Sequence, residues 1–130
     1  MNERKISDPV TSPETEAFWE ASAQGRFLVR HCRQCGKAHW YPRTVCPFCS
    51  SLDTEWREGS GKGSIYTFSV MRRAGDPFVM AYVRLQEGPV MMTNIVDCDP
   101  EKVRIDDAVS LVFRQSEGGY AVPFFRPAPP

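Results

Sequence analysis

The sequence has 130 residues, the size of one ordinary domain or of two very small ones. Hydrophobic residues make up 42% and charged residues 25%, which excludes a wholly disordered chain. Sixteen Lys and Arg balance sixteen Asp and Glu, so no net charge is available to drive binding to nucleic acid or anionic lipid.

Residues 1–25 are predicted to form a flexible tail followed by one short helix. Thr11 is expected to cap this helix, with Glu14 at the capping-box position. A helix of about ten residues is not stable alone, so its large side chains, Phe18 and Trp19, need a surface to cover. That surface is either this chain's own core or a partner protein. Because adjacent residues cannot share one narrow stripe, part of the pair is expected to face a partner.

Residues 26–58 are predicted to form a zinc ribbon, since two Cys-x-x-Cys pairs lie ten residues apart in this segment. Each spacing lets a tight turn point two sulfurs at one centre, where a tetrahedral ion joins the turns. Two short strands are expected between the pairs. Four sulfurs complete the coordination shell, which leaves no position for a catalytic water and makes the zinc structural. The predicted ligands are Cys32, Cys35, Cys46 and Cys49.

Other interpretations of the cysteines stay open. An iron site with four thiolates has the same ligands and geometry. Two disulfides would need an oxidising compartment, and the sequence shows no secretory signal. A redox dithiol would need a single pair beside a βαβ pattern. His39 is a weak candidate for a ligand or functional group. Five cations with no Asp or Glu in residues 26–50 are expected in part to offset the charge of the thiolates.

Residues 59–130 are predicted to form an OB-fold, a five-stranded barrel, with a proline-rich C-terminal tail. Tyr66, Phe68 and Val70 are expected to share one face of the first strand, with Ile65 on the other. Four methionines near the first three strands are interpreted as core filling, with a plastic binding surface as the alternative. They are Met71, Met80, Met91 and Met92. The strands are predicted at residues 64–70, 78–85, 90–96, 108–114 and 120–125.

The ordered set of motifs resembles a known family. In chain order the motifs are Phe18-Trp19-Glu20-Ala21, Cys32-Arg33-Gln34-Cys35-Gly36, Tyr41-Pro42-Arg43, Cys46-Pro47-Phe48-Cys49, Gly61-Lys62-Gly63 and Phe125-Arg126-Pro127. Over residues 12–128 the chain is similar to the rubredoxin-like zinc ribbon plus OB-fold family, first described as a domain of unknown function and linked with acyl-CoA metabolism. The family usually has a glycine before the fourth barrel strand, where this chain has Asp106-Asp107.

The resemblance implies a mainly β protein that is a non-catalytic accessory or scaffold subunit. Its expected partner is a thiolase-like enzyme, a class that includes aldolases acting on acyl-CoA thioesters, and its expected role is to help shape the CoA passage. Acyl-CoA is an expected ligand. Cations would meet the CoA phosphates beside an apolar surface. The candidate cations are Lys37, Arg43, Arg72 and Arg73, and the candidate apolar residues are Trp40, Tyr41 and Met71.

Two other functions are weaker. An OB-fold could bind single-stranded nucleic acid, but residues 59–130 hold eight charges of each sign, which argues against a phosphate footprint. An independent enzyme is disfavoured because the sequence lacks a convincing catalytic constellation. The longest apolar run, residues 78–83, is too short to span a membrane, so a cytoplasmic protein is expected.

Overall fold

The computed structural model describes residues 5–72 and 75–129 and shows a mainly β protein. One short helix precedes a three-stranded sheet, which is followed by a closed five-stranded barrel, so the predicted fold class is confirmed. Among the described residues, no helix has both the length and the apolar content needed to cross a membrane. The elements are α1 (Glu16–Ala23), β1 (Leu28–Cys32), β2 (Ala38–His39), β3 (Thr54–Glu58), β4 (Lys62–Met71), β5 (Phe78–Leu85), β6 (Val90–Ile95), β7 (Ala108–Gln115) and β8 (Ala121–Pro127).

The start of the helix differs from the prediction. A 3₁₀ turn, Pro13–Thr15, precedes α1, and its cap is Ser12 rather than Thr11. The Ser12 amide donates to Oγ1 of Thr15 at 3.2 Å, so a hydroxyl closes the tight turn. Glu14 therefore takes no part in the cap. Its carboxylate instead accepts a 2.5 Å hydrogen bond from the amide of Thr44, in the loop between the two cysteine pairs.

Phe18 and Trp19 both pack within this chain. Phe18 is 1% exposed, and its ring lies 5.3 Å from that of Trp40 and 6.0 Å from that of Phe27. Trp19 is partly buried and meets the edge of Tyr120, next to β8, at 6.2 Å. The adjacent side chains thus cover two different surfaces, the ribbon and the barrel. Phe18 is therefore covered by this chain's own core, and the contact of the remaining exposed part of Trp19 with a partner stays a prediction.

The ribbon is a small antiparallel sheet in the order β2-β1-β3. Five residue pairs join β1 to β3 and two join β1 to β2. The segment between the cysteine pairs contains one strand, β2, where two were expected, because the chain turns into the Tyr41–Thr44 loop after two residues. Gly59 follows β3 and packs tightly on the ribbon: a Cβ there would lie 2.9 Å from Cδ2 of Phe27. No larger residue fits this junction without a shift.

The barrel has the strand order β4-β5-β6-β8-β7 and closes where β7 pairs with β4. β6 and β8 run parallel and meet at Ile95 and Phe125. Alternate residues of β5 point inward and are buried, as expected for a strand with one face on the core and the other toward solvent. The prediction of five strands is confirmed. The last strand extends to Pro127, further than expected, and the Ala128 amide donates to the carbonyl of Ala108.

A β-bulge between Ile65 and Thr67 changes which residues of β4 face inward. Ile65 is 1% exposed, and Phe68 and Val70 also pack against the core, whereas Tyr66 is 52% exposed. The expected grouping of Tyr66 with Phe68 and Val70 was wrong, because the extra residue of a bulge reverses the alternation.

The methionines and the N-terminal segment also differ from the expectation. Met91 is buried in the core, but Met92 is 57% exposed. Before the helix, the carboxylate of Asp8 accepts hydrogen bonds from the Ser116 hydroxyl and the Gly118 amide, both at 2.7 Å. Part of the segment expected to be a flexible tail is therefore held on the turn between β7 and β8.

Candidate metal centre and neighbouring groove

Four cysteine side chains converge at the tip of the ribbon. Their sulfur atoms all lie within 4.8 Å of one another, and the Cys32–Cys49 and Cys35–Cys46 sulfur pairs are 3.6 and 3.7 Å apart. A tetrahedral ion with metal–sulfur bonds of about 2.3 Å places its ligands about 3.8 Å apart. The four cysteines are thus positioned for metal binding.

Two equivalent turns carry these sulfurs. In the first, the Cys35 amide points at the sulfur of Cys32 at 3.4 Å, and the Gly36 amide closes the turn on the Cys32 carbonyl at 3.0 Å. In the second, the Phe48 amide lies 3.4 Å from the Cys46 sulfur, and the Ser50 amide donates to the Cys46 carbonyl at 2.9 Å. Such N–H donors stabilise thiolates and orient them toward a cation.

The metal-free cysteines have unequal acidities. The hydrogen bond from the Cys35 amide lowers the pKa of Cys32 to about 7, in spite of opposing desolvation. The Ser51 amide lowers the pKa of Cys49, but desolvation and the neighbouring sulfurs outweigh it and raise that pKa to about 12. A cation is what allows four thiolates to lie so close together, so metal binding must release protons here.

Disulfides do not explain this cluster. All five cysteines are free, and sulfur separations of 3.6 and 3.7 Å far exceed the roughly 2.05 Å of an S–S bond. His39 is not one of the converging residues. It is 2% exposed, and its Nε2 lies 3.1 Å from the carbonyl oxygen and 3.3 Å from the amide nitrogen of Arg43. Burial lowers the pKa of His39, so a neutral ring holds the loop that carries Arg43.

The predicted cations occupy different places. Arg43 and Tyr41 line an open groove of about 480 Å³ that also includes Glu14 and Val45. Lys37, on the first turn, holds its Nζ 5.1 Å over the ring of Phe48, on the second. Lys37 and Arg43 thus both belong to the ribbon, within a few residues of the metal ligands.

Arg72 lies elsewhere. It follows β4, whose first residue, Lys62, adjoins the ribbon, so on the order of 30 Å of strand separates it from that junction. Its guanidinium forms a 2.7 Å ion pair with Glu101. Arg73 lies outside the described residues. Among the candidate apolar residues, Tyr41 and Met71 are partly exposed, whereas Trp40 packs against Phe18 and Phe27.

Sequence reasoning assigned Glu14 to a helix cap rather than to the groove, and it did not predict that Tyr66 and Tyr82 are exposed on the barrel. Glu14 enters the groove through a contact 30 positions away in sequence, which no local motif indicates. Tyr82 could have been found, because alternation along β5 predicts that it points outward between buried neighbours. Tyr66 could not, because the bulge leaves no clear sequence signal.

Two family models match the chain, one for each part. The rubredoxin-like zinc ribbon domain of ChsH2 matches residues 19–55, and the C-terminal OB-fold domain of ChsH2 matches residues 56–114. Together they cover residues 19–114, from the helix to the penultimate residue of β7.

Two curated relatives of the chain carry different names. A DUF35 domain-containing scaffold protein of Methanothermobacter thermautotrophicus is 40% identical over 110 residues, which are 78% of this chain and 83% of that protein. A protein of Thermomonospora curvata named as a probable enoyl-CoA hydratase alpha subunit is 34% identical over 120 residues. Those residues are 88% of this chain, but they span only 38% of that relative.

Solved structures agree with the fold. A chain of the structure described as the Ltp2-ChsH2(DUF35) aldolase superposes with a TM-score of 0.82 at 31% identity, covering 94% of this chain and all of that one. A DUF35-family protein of unknown function from Sulfolobus solfataricus superposes with a TM-score of 0.67 at 14% identity, covering 91% of this chain and 87% of that one. The second likeness concerns the fold alone.

Proposed function

This chain belongs to the DUF35 family, which joins a ChsH2-type zinc ribbon to an OB-fold, and from this we propose that it is a non-catalytic accessory subunit of a thiolase- or aldolase-type enzyme. The observation that carries the proposal is the likeness to a chain of the Ltp2-ChsH2(DUF35) aldolase, which extends over that entire chain. The scaffold name of the relative from Methanothermobacter thermautotrophicus supports the same role. The hydratase name of one relative is not carried over, because this chain spans a minor part of it.

The metal of the ribbon is proposed to be structural zinc. Four converging sulfurs fill a tetrahedral shell, so the ion would have no open position for water or substrate. Zinc bound in such a site contributes on the order of 10 kcal/mol to folding. Its chemical role would be to cross-link the two turns that carry Lys37 and Phe48.

The ligand of the assembled complex is proposed to be an acyl-CoA. Its phosphates would meet Lys37 and Arg43 on the ribbon, and Tyr41 would lie beside its apolar part. Arg43 suits this role because its loop is held by His39 and borders an open groove. Arg72 and Arg73 would contribute only if the partner enzyme brings the acyl-CoA along the barrel, since Arg72 lies at the far end of β4.

The accessory role is tested by co-expression with thiolase- and aldolase-type enzymes, followed by size-exclusion chromatography. A stable co-eluting complex with one such enzyme is expected, and the absence of any complex would overturn the role.

The CoA contact is tested on that complex by titration with coenzyme A. Lys37→Gln and Arg43→Gln are expected to weaken binding by about tenfold each, as the loss of a charged phosphate contact predicts. Lys102→Gln removes an equally exposed cation from the connection between β6 and β7 and should leave the affinity unchanged. If Lys37→Gln and Arg43→Gln bind coenzyme A with the affinity of the wild type and of Lys102→Gln, the proposed CoA contact is overturned. The accessory role would remain intact.

A further inference from the structure

The outer surface of the barrel carries four exposed large side chains on the three consecutive strands β4, β5 and β6. These side chains, here called the outer patch, are Tyr66, Met71, Tyr82 and Met92, with exposed fractions of 52, 39, 45 and 57%. Tyr82 is the direct cross-strand partner of Met92, and it also faces Thr67, next to the bulged Tyr66. Tyr66, Tyr82 and Met92 therefore form a row across three adjacent strands.

The chain's own helix and N-terminal segment pack on the other side of the barrel. Trp19 of α1 meets Tyr120, and Asp8 is bound at Ser116 and Gly118, all at the turn between β7 and β8. In the closed order β4-β5-β6-β8-β7, strand β5 lies opposite that turn. Among the described residues, no ring contact and no side-chain hydrogen bond joins the ribbon or the helix to the outer patch.

The size of the patch suits the centre of a protein interface. Four large side chains, each about half exposed, present an apolar area on the order of 400 Å², within the range at which the largest patch of a monomer is often functional. Tyr, Met and Arg are the residues enriched in interface centres. The guanidinium of Arg84 lies 4.9 Å over the ring of Tyr66, so the patch includes an arginine stacked on an aromatic ring.

The charges around the outer patch indicate which kind of partner it binds. Residues 64–71, 78–85 and 90–95, all described, contain one charged side chain, Arg84. A single cation is too little for a nucleic-acid backbone, which needs several. In a symmetric contact between two copies, Arg84 would meet the same surface of the second copy, which has no carboxylate in these segments, so it would be buried without an acidic partner.

We propose that the outer patch is the surface on which this subunit binds its enzyme partner, and that the partner presents an apolar area with a carboxylate opposite Arg84. This assignment rests on the accessory role proposed above and names the surface that performs it. The ion pair between Arg72 and Glu101 would lie at the rim, where charges remain in water. The ribbon, on the other side of the junction, would stay free to meet the CoA.

The test compares two matched substitutions in the complex with the co-purified enzyme. Met92→Lys places a charge in the patch, and Ile105→Lys places the same charge at a residue of almost equal exposure, 58%, outside it. Met92→Lys is expected to raise the dissociation constant by about tenfold or more, as the replacement of a hot-spot residue does. Ile105→Lys should change it by less than about twofold, and Arg84→Glu should also raise it because the partner's carboxylate would be repelled. Circular dichroism confirms that each variant keeps the barrel.

Any of the following outcomes would overturn the assignment of the outer patch as the enzyme-binding surface. If Met92→Lys binds the enzyme with full affinity, the patch is not the interface, although the accessory role survives. A wild-type chain that dimerises alone, and that Met92→Lys makes monomeric, identifies a second copy as the occupant. Salt-sensitive binding of a labelled fifteen-nucleotide oligothymidine probe that is lost in Tyr82→Ala identifies single-stranded nucleic acid instead, by stacking. If no enzyme binds the wild-type chain, the accessory role fails and the surface assignment fails with it.

Discussion

Gly36 and Ser50 occupy equivalent positions in the two turns that carry the metal ligands. Each follows the second cysteine of its pair, and each donates its amide to the carbonyl of the first cysteine. Both have a left-handed backbone, with φ of 78° for Gly36 and 65° for Ser50. The first turn thus has the residue that this conformation favours, and the second does not.

Replacing Ser50 with glycine should therefore stabilise the ribbon. A non-glycine residue in the left-handed region costs about 1 kcal/mol, and Ser50 is exposed, so little contact is lost. We expect Ser50→Gly to raise the melting temperature of the metal-bound protein by a few degrees. Gly36→Ala is the matched control and should lower it. A lower melting temperature for Ser50→Gly would show that its side chain contributes more than its backbone costs.

Another non-glycine residue with a left-handed backbone lies before the fourth barrel strand. Asp106, in the stretch where the resemblance led us to expect a glycine, has φ of 73°, and its amide donates to the carbonyl of Ile65 at 2.8 Å. The turn is therefore closed with Asp at this position. Asp106→Gly should stabilise the protein by ~0.5 kcal/mol, since Asp tolerates this region better than most residues. Asp106→Ala should destabilise it in urea unfolding, and the same sign for both variants would contradict the backbone argument.

Cys46→Ser is expected to remove the metal and unfold the ribbon. The loss of one of four ligands lowers affinity, and the folding free energy that the ion supplies, on the order of 10 kcal/mol, is lost with it. Elemental analysis gives the metal content, and near-ultraviolet circular dichroism follows Trp40 and Trp56, which pack around the ribbon core. Cys98→Ser is the control, since Cys98 lies on the barrel outside the cluster and should keep one ion per chain. A metal-free but fully folded Cys46→Ser protein would argue against the structural role.

The bond between Asp8 and the β7–β8 turn predicts a dependence of stability on pH. Hydrogen bonds from Ser116 and Gly118 lower the pKa of Asp8 below its usual 3.8. A carboxylate whose pKa is lower in the folded state stabilises the fold above its unfolded pKa, and this stabilisation is lost as the pH falls through and below 3.8. Asp8→Asn should thus lower the melting temperature at pH 7 and reduce its fall between pH 5 and pH 3.

The control for this prediction is Asp76→Asn, which changes an exposed carboxylate on the loop between β4 and β5. It should leave both the melting temperature at pH 7 and its pH dependence unchanged. A wild-type acid dependence in the Asp8→Asn protein would place the responsible carboxylate elsewhere.

Local patterns predict the elements of this protein better than the contacts between them. Alternation gives the bounds of β5 as they are observed, and the spacing of the cysteines predicts the metal cluster, because both signals lie within a few residues. The contact of Glu14 with Thr44 and the packing of Trp40 on Phe18 depend on how distant segments meet, so sequence patterns do not reveal them. The bulge at Tyr66 reverses an alternation that otherwise looks regular, and this hides the outer patch.

The central claim, that this chain assists an enzyme without being one, is tested most directly by its turnover of acyl-CoA thioesters. The zinc-loaded chain, purified alone, is assayed beside the partner enzyme alone and the reconstituted complex. We predict no turnover by the chain and faster turnover by the complex than by the enzyme alone. Turnover by the isolated chain at the rate of the complex would contradict the claim.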